Sequence, residues 1–477
     1  MKILKKIFLI LLIFLFSSVT TVYLYRAIES NQMRDLKKYH IESRATKLYN
    51  YVNYISISEY IDADKKYLEE LYTELSEKEN DISSKYHKKS VGNPYDNGEN
   101  LNVSFQLIPK EIKGGVLLIH GLSDSPYSQR DIAEIFYKKG YYVLCLRLPG
   151  HGTVPHDLIR YTEIDWYKNV RFGMEKINEE MKKVKNPEII MGGYSLGGAL
   201  TLEYIFESLK DEKLTMPNKV FLFSPAIGIP EVAKYGNLHG ILSNFSYFNK
   251  FAWNNISIEF DKYKTRSFPK KAAKSISNVV RKNSKTLGKL SKENIEKLPP
   301  IYIYQTIADS TVKNSEIYKM YSKLDNNEKN NLYIFDINRE YENVFSENYR
   351  ELKIEDIIVN YNIKSKVHFI SNNTTKLPDF IYEDVYLMEG NKPILKNRNK
   401  IKEAWHEGEY SLSHVGMLYS PENIYYGRNG ILTKINIKGE DGLHIYSYGW
   451  SRIRYNPLFN YLSDKISMNL ENEYKTD

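Results

Sequence analysis

The sequence predicts an α/β fold, a mainly parallel sheet covered by helices on both faces. Two observations carry this. From Val116 onward, short apolar runs suited to buried strands alternate with longer segments of helical periodicity. One of those runs, Ile189-Ile190-Met191, passes directly into Gly193-Tyr194-Ser195-Leu196-Gly197 and then into an apolar helix ending near Leu209. A strand that turns at once into a helix strains the residue at the corner, and bulk two positions either side would strike the neighbouring elements. Glycine at 193 and 197 removes that bulk and leaves the Ser195 hydroxyl at a helix N-terminus, where free N–H groups favour developing negative charge.

In chain order, Lys2, Lys5 and Lys6 precede an uncharged run from Ile7 to Tyr25, closed by Arg26. Nineteen residues at helical rise approach the thickness of a bilayer core. The run is expected to be an uncleaved membrane anchor over residues 1–26. Its N-terminus would stay in the cytoplasm and the rest of the chain would lie across the membrane. The alternative is a cleaved signal peptide ending near Ser17-Ser18-Val19, which would make the protein secreted. Residues 27–100 are polar and largely helical, with Ile61, Tyr67, Leu68, Leu71, Tyr72 and Leu75 at helical spacing. They read as a spacer or a collar, bounded by the turn cluster Asn93-Pro94-Tyr95-Asp96-Asn97-Gly98.

The strands expected next are Val116–Ile119, Tyr142–Leu146, Ile189–Met191, Lys219–Phe223 and Ile301–Tyr304. Between the last two lies an insertion, at about 231–298, of different composition. From Lys262 to Lys297 it holds twelve Lys or Arg against two Glu. This is a solvated face, or else a cap side turned toward anionic headgroups. Ser267-Phe268-Pro269 reads as a helix start, and Ala272, Ala273, Ile276, Val279 and Val280 give that helix one apolar side.

Composition is that of a globular chain, 42% hydrophobic and 26% charged over 477 residues with net charge +8. The single cysteine, Cys145, excludes an intramolecular disulfide and a cysteine-rich metal site, and its apolar run makes it a buried thiol. There is no zinc spacing, P-loop or dinucleotide fingerprint, so no cofactor and no metal are expected. Nucleic-acid binding is not expected either.

Taken jointly, several motifs resemble the α/β-hydrolase superfamily, in particular its monoglyceride-lipase, carboxylesterase and serine-aminopeptidase-like branch. They are His120-Gly121 after one strand, Leu148-Pro149-Gly150-His151-Gly152-Thr153 after the next, and the Ser195 elbow. With them go Ser267-Phe268-Pro269, Asp309-Ser310-Thr311-Val312 and Leu412-Ser413-His414-Val415. The resemblance runs from about Leu101 to Tyr426. It implies an α/β-hydrolase domain at 101–477 with a helical cap insertion, acting as a serine hydrolase on a small ester, and a nucleophile, acid and histidine in that chain order. Ser195 is then the nucleophile. Asp309, on a loop past a strand, is the acid, with Asp336 as its rival. His414 is the base, chosen over His406 in another loop and over His368 and His444 in strand-like sequence. The backbone N–H groups of Leu122 and Leu196 would form the oxyanion hole. His120 and His151 are expected to be structural. About a hundred residues separate Asp309 from His414, which implies an insertion within 338–404 of unread role. The same triad serves esterases and amidases or peptidases, and a binding module that kept the fold is a third reading.

Overall fold

The structure, a computed structural model, describes residues 2–471 except 45, 97, 229–245, 310, 326–328, 339–351, 373–379, 406–411, 431–433 and 437–450. Its centre is a ten-stranded sheet. In chain order the strands are β1 (Phe105–Leu107), β2 (Gly114–Ile119), β3 (Tyr141–Cys145), β4 (Glu188–Tyr194), β5 (Lys219–Phe223), β6 (Ile301–Thr306), β7 (Asn331–Asp336), β8 (Lys366–Ser371), β9 (Tyr382–Glu389) and β10 (Lys392–Lys400). They lie side by side as β10-β9-β8-β7-β6-β5-β4-β2-β3-β1. All neighbours are parallel except the pairings of β1 with β3, β8 with β9, and β9 with β10. Strand order reverses between β2 and β4. In parallel sheets a crevice opens at such a switch, outside the carboxyl ends of the strands.

The helices used below are α1 (Lys2–Gln32), α2 (Ile57–Ser76), α3 (Arg130–Lys138), α4 (Glu163–Met181), α5 (Leu196–Ser208), α6 (Lys270–Leu287), α7 (Asn314–Lys323), α8 (Ile354–Asn360) and α9 (Phe459–Glu471). Alternation along β2 divides the core. Leu117 and Ile119 face a cluster with Trp166 and Ile177 of α4 and Ala199 and Leu200 of α5. Val116 and Leu118 face Ile132 and Phe136 of α3 and Leu462 and Ile466 of α9. Cys145 is fully buried, as its apolar run implies. Fully burying a side chain such as Leu or Ile is worth about 1.5–3 kcal/mol, so both faces are firmly held.

Within residues 27–100, α2 packs on the sheet domain as a collar and not as a detached spacer. Tyr60, Tyr67, Leu68, Leu71 and Tyr72 of α2 are buried in the same core as Trp166. A buried ion pair, Asp64 with Arg147, ties α2 to the loop after β3. The insertion foreseen within 338–404 carries α8 and β8–β10, which widen the sheet beyond β7.

In the cap insertion, residues 229–245 lie outside the described part. α6 presents Ala272, Ala273, Ile276 and Val279 inward. The helix starts at Lys270, after Pro269, and Ser267 is a buried loop residue rather than its cap. Lys262 and Lys270 of the basic run are buried, and Lys282 pairs with Glu203 and Glu207 of α5.

The expectation of a membrane-crossing anchor is not supported. Among the described residues no helix is long and apolar enough to cross a membrane. α1 is 31 residues long, and its continuous exposed apolar run is Ile7–Phe16. Those ten residues rise roughly 15 Å, about half a bilayer core. Beyond them come Ser17, Ser18, Thr20 and Thr21. The Thr20 hydroxyl donates back to the Phe16 carbonyl (2.8 Å) and Thr21 to Ser17 (2.9 Å), so this turn carries a band of hydroxyls.

Candidate active site

β4 ends at Tyr194 and α5 begins at Leu196, leaving Ser195 alone at the corner with φ 52° and ψ −112°. That conformation is sparsely populated for a residue with a side chain and persists only where its surroundings impose it. They do so here. The Ser195 amide donates to the Phe223 carbonyl (3.0 Å), and its carbonyl accepts from Ala226 (2.9 Å) and Ala199 (3.2 Å). A Cβ at 193 would fall 2.3 Å from backbone atoms of Gly197, and one at 197 only 2.0 Å from the Ile119 carbonyl. Both elbow glycines are therefore obligatory.

Asp309 follows β6 and is fully buried. One carboxylate oxygen accepts from the amides of Thr311 (2.8 Å) and Val312 (3.2 Å). The other accepts from Gln305 Nε2 (3.0 Å) and meets His414 Nδ1 at 2.6 Å. A carboxylate can only accept, so Nδ1 carries the imidazole proton and the Nε2 lone pair is left for another partner. The histidine loop is pinned to β6 by Thr306, whose hydroxyl donates to the Leu412 carbonyl (2.8 Å). The His414 ring packs 5.0 Å from that of Tyr194, the residue before Ser195. The structure thus brings Asp309 and His414 together beside the elbow.

The loop after β2 closes the other side. A Cβ on Gly121 would touch the Tyr194 ring at 2.8 Å and Ser195 Cβ at 3.4 Å, so the backbone leading to Leu122 runs against the elbow. Leu196, the other expected donor, is the first residue of α5 and is buried. His120 is buried, and its Nε2 accepts from the Leu148 amide (3.0 Å). Burial, then the neighbouring His151, holds it neutral with a pKa well below the usual imidazole range. His151 is depressed to about 4, again by burial, and contacts the Pro149 carbonyl through Nδ1 (3.1 Å). Both have structural partners.

Asp336 ends β7, buried, and the carboxylate held by His414 is that of Asp309. His368 lies in β8, between Glu383 (2.8 Å) and Asn331 (3.0 Å). His406 and His444 fall outside the described residues. Sequence reasoning missed Gln305, whose role depends on a loop folding back four residues. It also missed Asp124, fully buried beside the expected oxyanion donor. Burial is the main cause raising the Asp124 carboxyl to about 6, and Lys264 opposes it.

A doubly covered, mainly parallel sheet, a strained serine at a strand-to-helix corner and a buried carboxylate–imidazole pair at the strand ends define the α/β-hydrolase class. Part of the chain is similar to known proteins. Residues 110–335 match the family described as "Serine aminopeptidase, S33". A thermostable monoacylglycerol lipase of Bacillus sp. strain H-257 is 37% identical over 119 residues, which are 25% of this chain and 43% of that protein. A carboxylesterase of Bacillus subtilis is 33% identical over 98 residues, 20% of this chain and 38% of that protein. The chain thus spans about two fifths of the length of these curated relatives. Among solved structures, a Paleococcus ferrophilus monoacylglycerol lipase is 18% identical, with 49% of this chain and 87% of that one covered and a TM-score of 0.36.

Proposed function

We propose that this chain is a serine hydrolase that cleaves carboxylic esters through an acyl-enzyme. The observation that carries the reading is the Asp309–His414 bond beside the Ser195 elbow. Ser195 Oγ attacks the ester carbonyl as His414 Nε2 takes its proton, and Asp309 holds the imidazole in the required tautomer. The amides of Leu122 and Leu196 receive the oxyanion, aided by the N-terminus of α5. His414 returns the proton to the departing alcohol. A water, activated by the same base, then releases the acid and restores Ser195. No step calls for a cofactor or metal.

Lipid-derived or amphiphilic esters are the favoured substrates, because one relative is named a monoacylglycerol lipase and the exposed apolar stretch Ile7–Phe16 of α1 suits contact with an amphiphile. The test is a panel of aryl esters and monoacylglycerols of graded chain length, run beside peptide and aminoacyl amide substrates. Ester turnover that vanishes in Ser195→Ala supports the reading. Amide turnover exceeding ester turnover would favour the amidase or peptidase that the matched family's description suggests. No turnover of either kind, with no labelling by a fluorophosphonate, would point to a binding module.

A further inference from the structure

The loop that carries the Leu122 amide is held only in part by its own residues: the Asp124 amide donates to the Gly121 carbonyl (3.3 Å), which His120 Nδ1 also contacts (2.9 Å). Ser123, the next residue, has φ 60° without being glycine, a conformation that its surroundings must impose. Its carbonyl accepts a 2.7 Å bond from the amide of Thr265. Thr265 lies on a strap, residues 257–267, that leads into the Ser267-Phe268-Pro269 run.

Several distant parts of the chain pin that strap. Glu259, fully buried, accepts from the amides of Arg266 (2.9 Å) and Ser267 (2.7 Å), which folds the strap back on itself. Lys85, in the segment after α2, is 1% exposed. Its Nζ stands 3.7 Å from Glu259 Oε2 and donates to the Lys264 carbonyl (3.1 Å), and its amide donates to the Glu259 carbonyl (2.5 Å). At the middle of the strap Asp261 meets Arg454 (2.6 Å) and the Tyr426 hydroxyl (2.5 Å) from the C-terminal region. His40 reaches the Ser267 hydroxyl at 2.9 Å. Burying two charges costs desolvation that an apolar pair would avoid, so the Lys85–Glu259 pair is a poor device for stability alone. It is well suited to fixing one geometry, and that geometry ends in the bond from Thr265 to Ser123.

We propose that Lys85 and Glu259 are positioning residues for the reaction: through the strap they set the backbone of 122–124 so that the Leu122 amide points at the developing oxyanion. The segment after α2 is then part of the catalytic apparatus without touching substrate. This rests on the serine-hydrolase reading, and its test is arranged to fail separately.

The full chain is compared with Lys85→Met, Lys85→Arg and Glu259→Gln. Hydrogen exchange of the 120–125 amides, which needs no substrate, should quicken in Lys85→Met and Glu259→Gln and return toward the parent in Lys85→Arg. With the best ester, kcat should fall roughly 10- to 100-fold, the scale of a small misplacement at a reacting centre. KM should stay nearly constant, and affinity for a trifluoromethyl ketone that mimics the tetrahedral adduct should fall in step with kcat. Should Lys85→Met not fold, Glu259→Gln carries the test. Unchanged exchange overturns the strap. Faster exchange with unchanged kcat and ketone affinity overturns its role in positioning. A parent that hydrolyses nothing overturns the serine-hydrolase reading, while the exchange measurement still judges the strap.

Discussion

Asp64 and Asp309 are both fully buried carboxylates, and each holds a nitrogen partner from a distant part of the chain. Around Asp64 every capacity is taken up. Arg147 Nε donates to one oxygen (3.0 Å), and the Ser104 amide (2.9 Å) and hydroxyl (2.7 Å) donate to the other. Arg147 spends its remaining reach on the His151 carbonyl (2.7 Å) and Tyr49 hydroxyl (2.9 Å). Around Asp309 the carboxylate is equally well supplied, but its partner is an imidazole with a second nitrogen left over. A closed network of a permanent cation and a carboxylate can only hold parts together. A network that ends on a titratable ring beside a strained serine can move a proton.

The sharpest way to break this comparison is at the reactive end. Ser195→Ala and His414→Ala should each cost about 10⁶-fold in kcat, with folding unaltered, because members of such a unit fail together. Steady-state kinetics and fluorophosphonate labelling check this, and labelling that survives Ser195→Ala would remove the serine from its role. Asp309→Asn should cost about 10⁴-fold by leaving the imidazole in the wrong tautomer. If Asp336→Asn is the more damaging change, the acid has been misassigned.

At the structural end the effect should move from rate to stability. Asp64→Ala leaves Arg147 charged and buried, so unfolding in denaturant should show a loss of about 3–5 kcal/mol. The fraction that remains folded should retain its ester kcat to within a few-fold. A large fall in kcat per folded molecule would place Asp64 on the catalytic side of the comparison.

Asp124 gives the smallest test. It has a folded-state pKa of about 6, raised by burial from an ordinary value near 3.8. The folded state therefore binds the extra proton across that window, and stability falls as pH rises from about 3.8 to 6. Asp124→Asn removes the penalty. Its melting temperature should exceed the parent's at pH 8, by the equivalent of at most about 3 kcal/mol. The advantage should vanish near pH 4, and scanning calorimetry at the two pH values decides.

The sequence by itself determined what rests on neighbours in the chain. The elbow is such a case in part, since strand, corner and helix are contiguous and Gly193 answers a clash with Gly197 within five residues, whereas the clash Gly197 answers, with the Ile119 carbonyl of β2, comes from the tertiary fold. So are the strands and helices of the core, whose periodicity states which face is apolar. Asp309 and His414 were named from motifs, but their bond joins residues 105 apart and needed the whole sheet to form. Only the tertiary structure decided that α2 packs as a collar, because an amphipathic helix declares an apolar face without declaring what covers it. It also decided that the 338–404 insertion extends the sheet. Strand pairing there joins β8 to a partner 35 residues back (Lys366 opposite Asn331), and no local pattern encodes that neighbour. The basic run of the cap divided in the same way. Lys262 and Lys270 are buried while Lys271 and Lys274 remain exposed, since composition records charge and only packing assigns it a face.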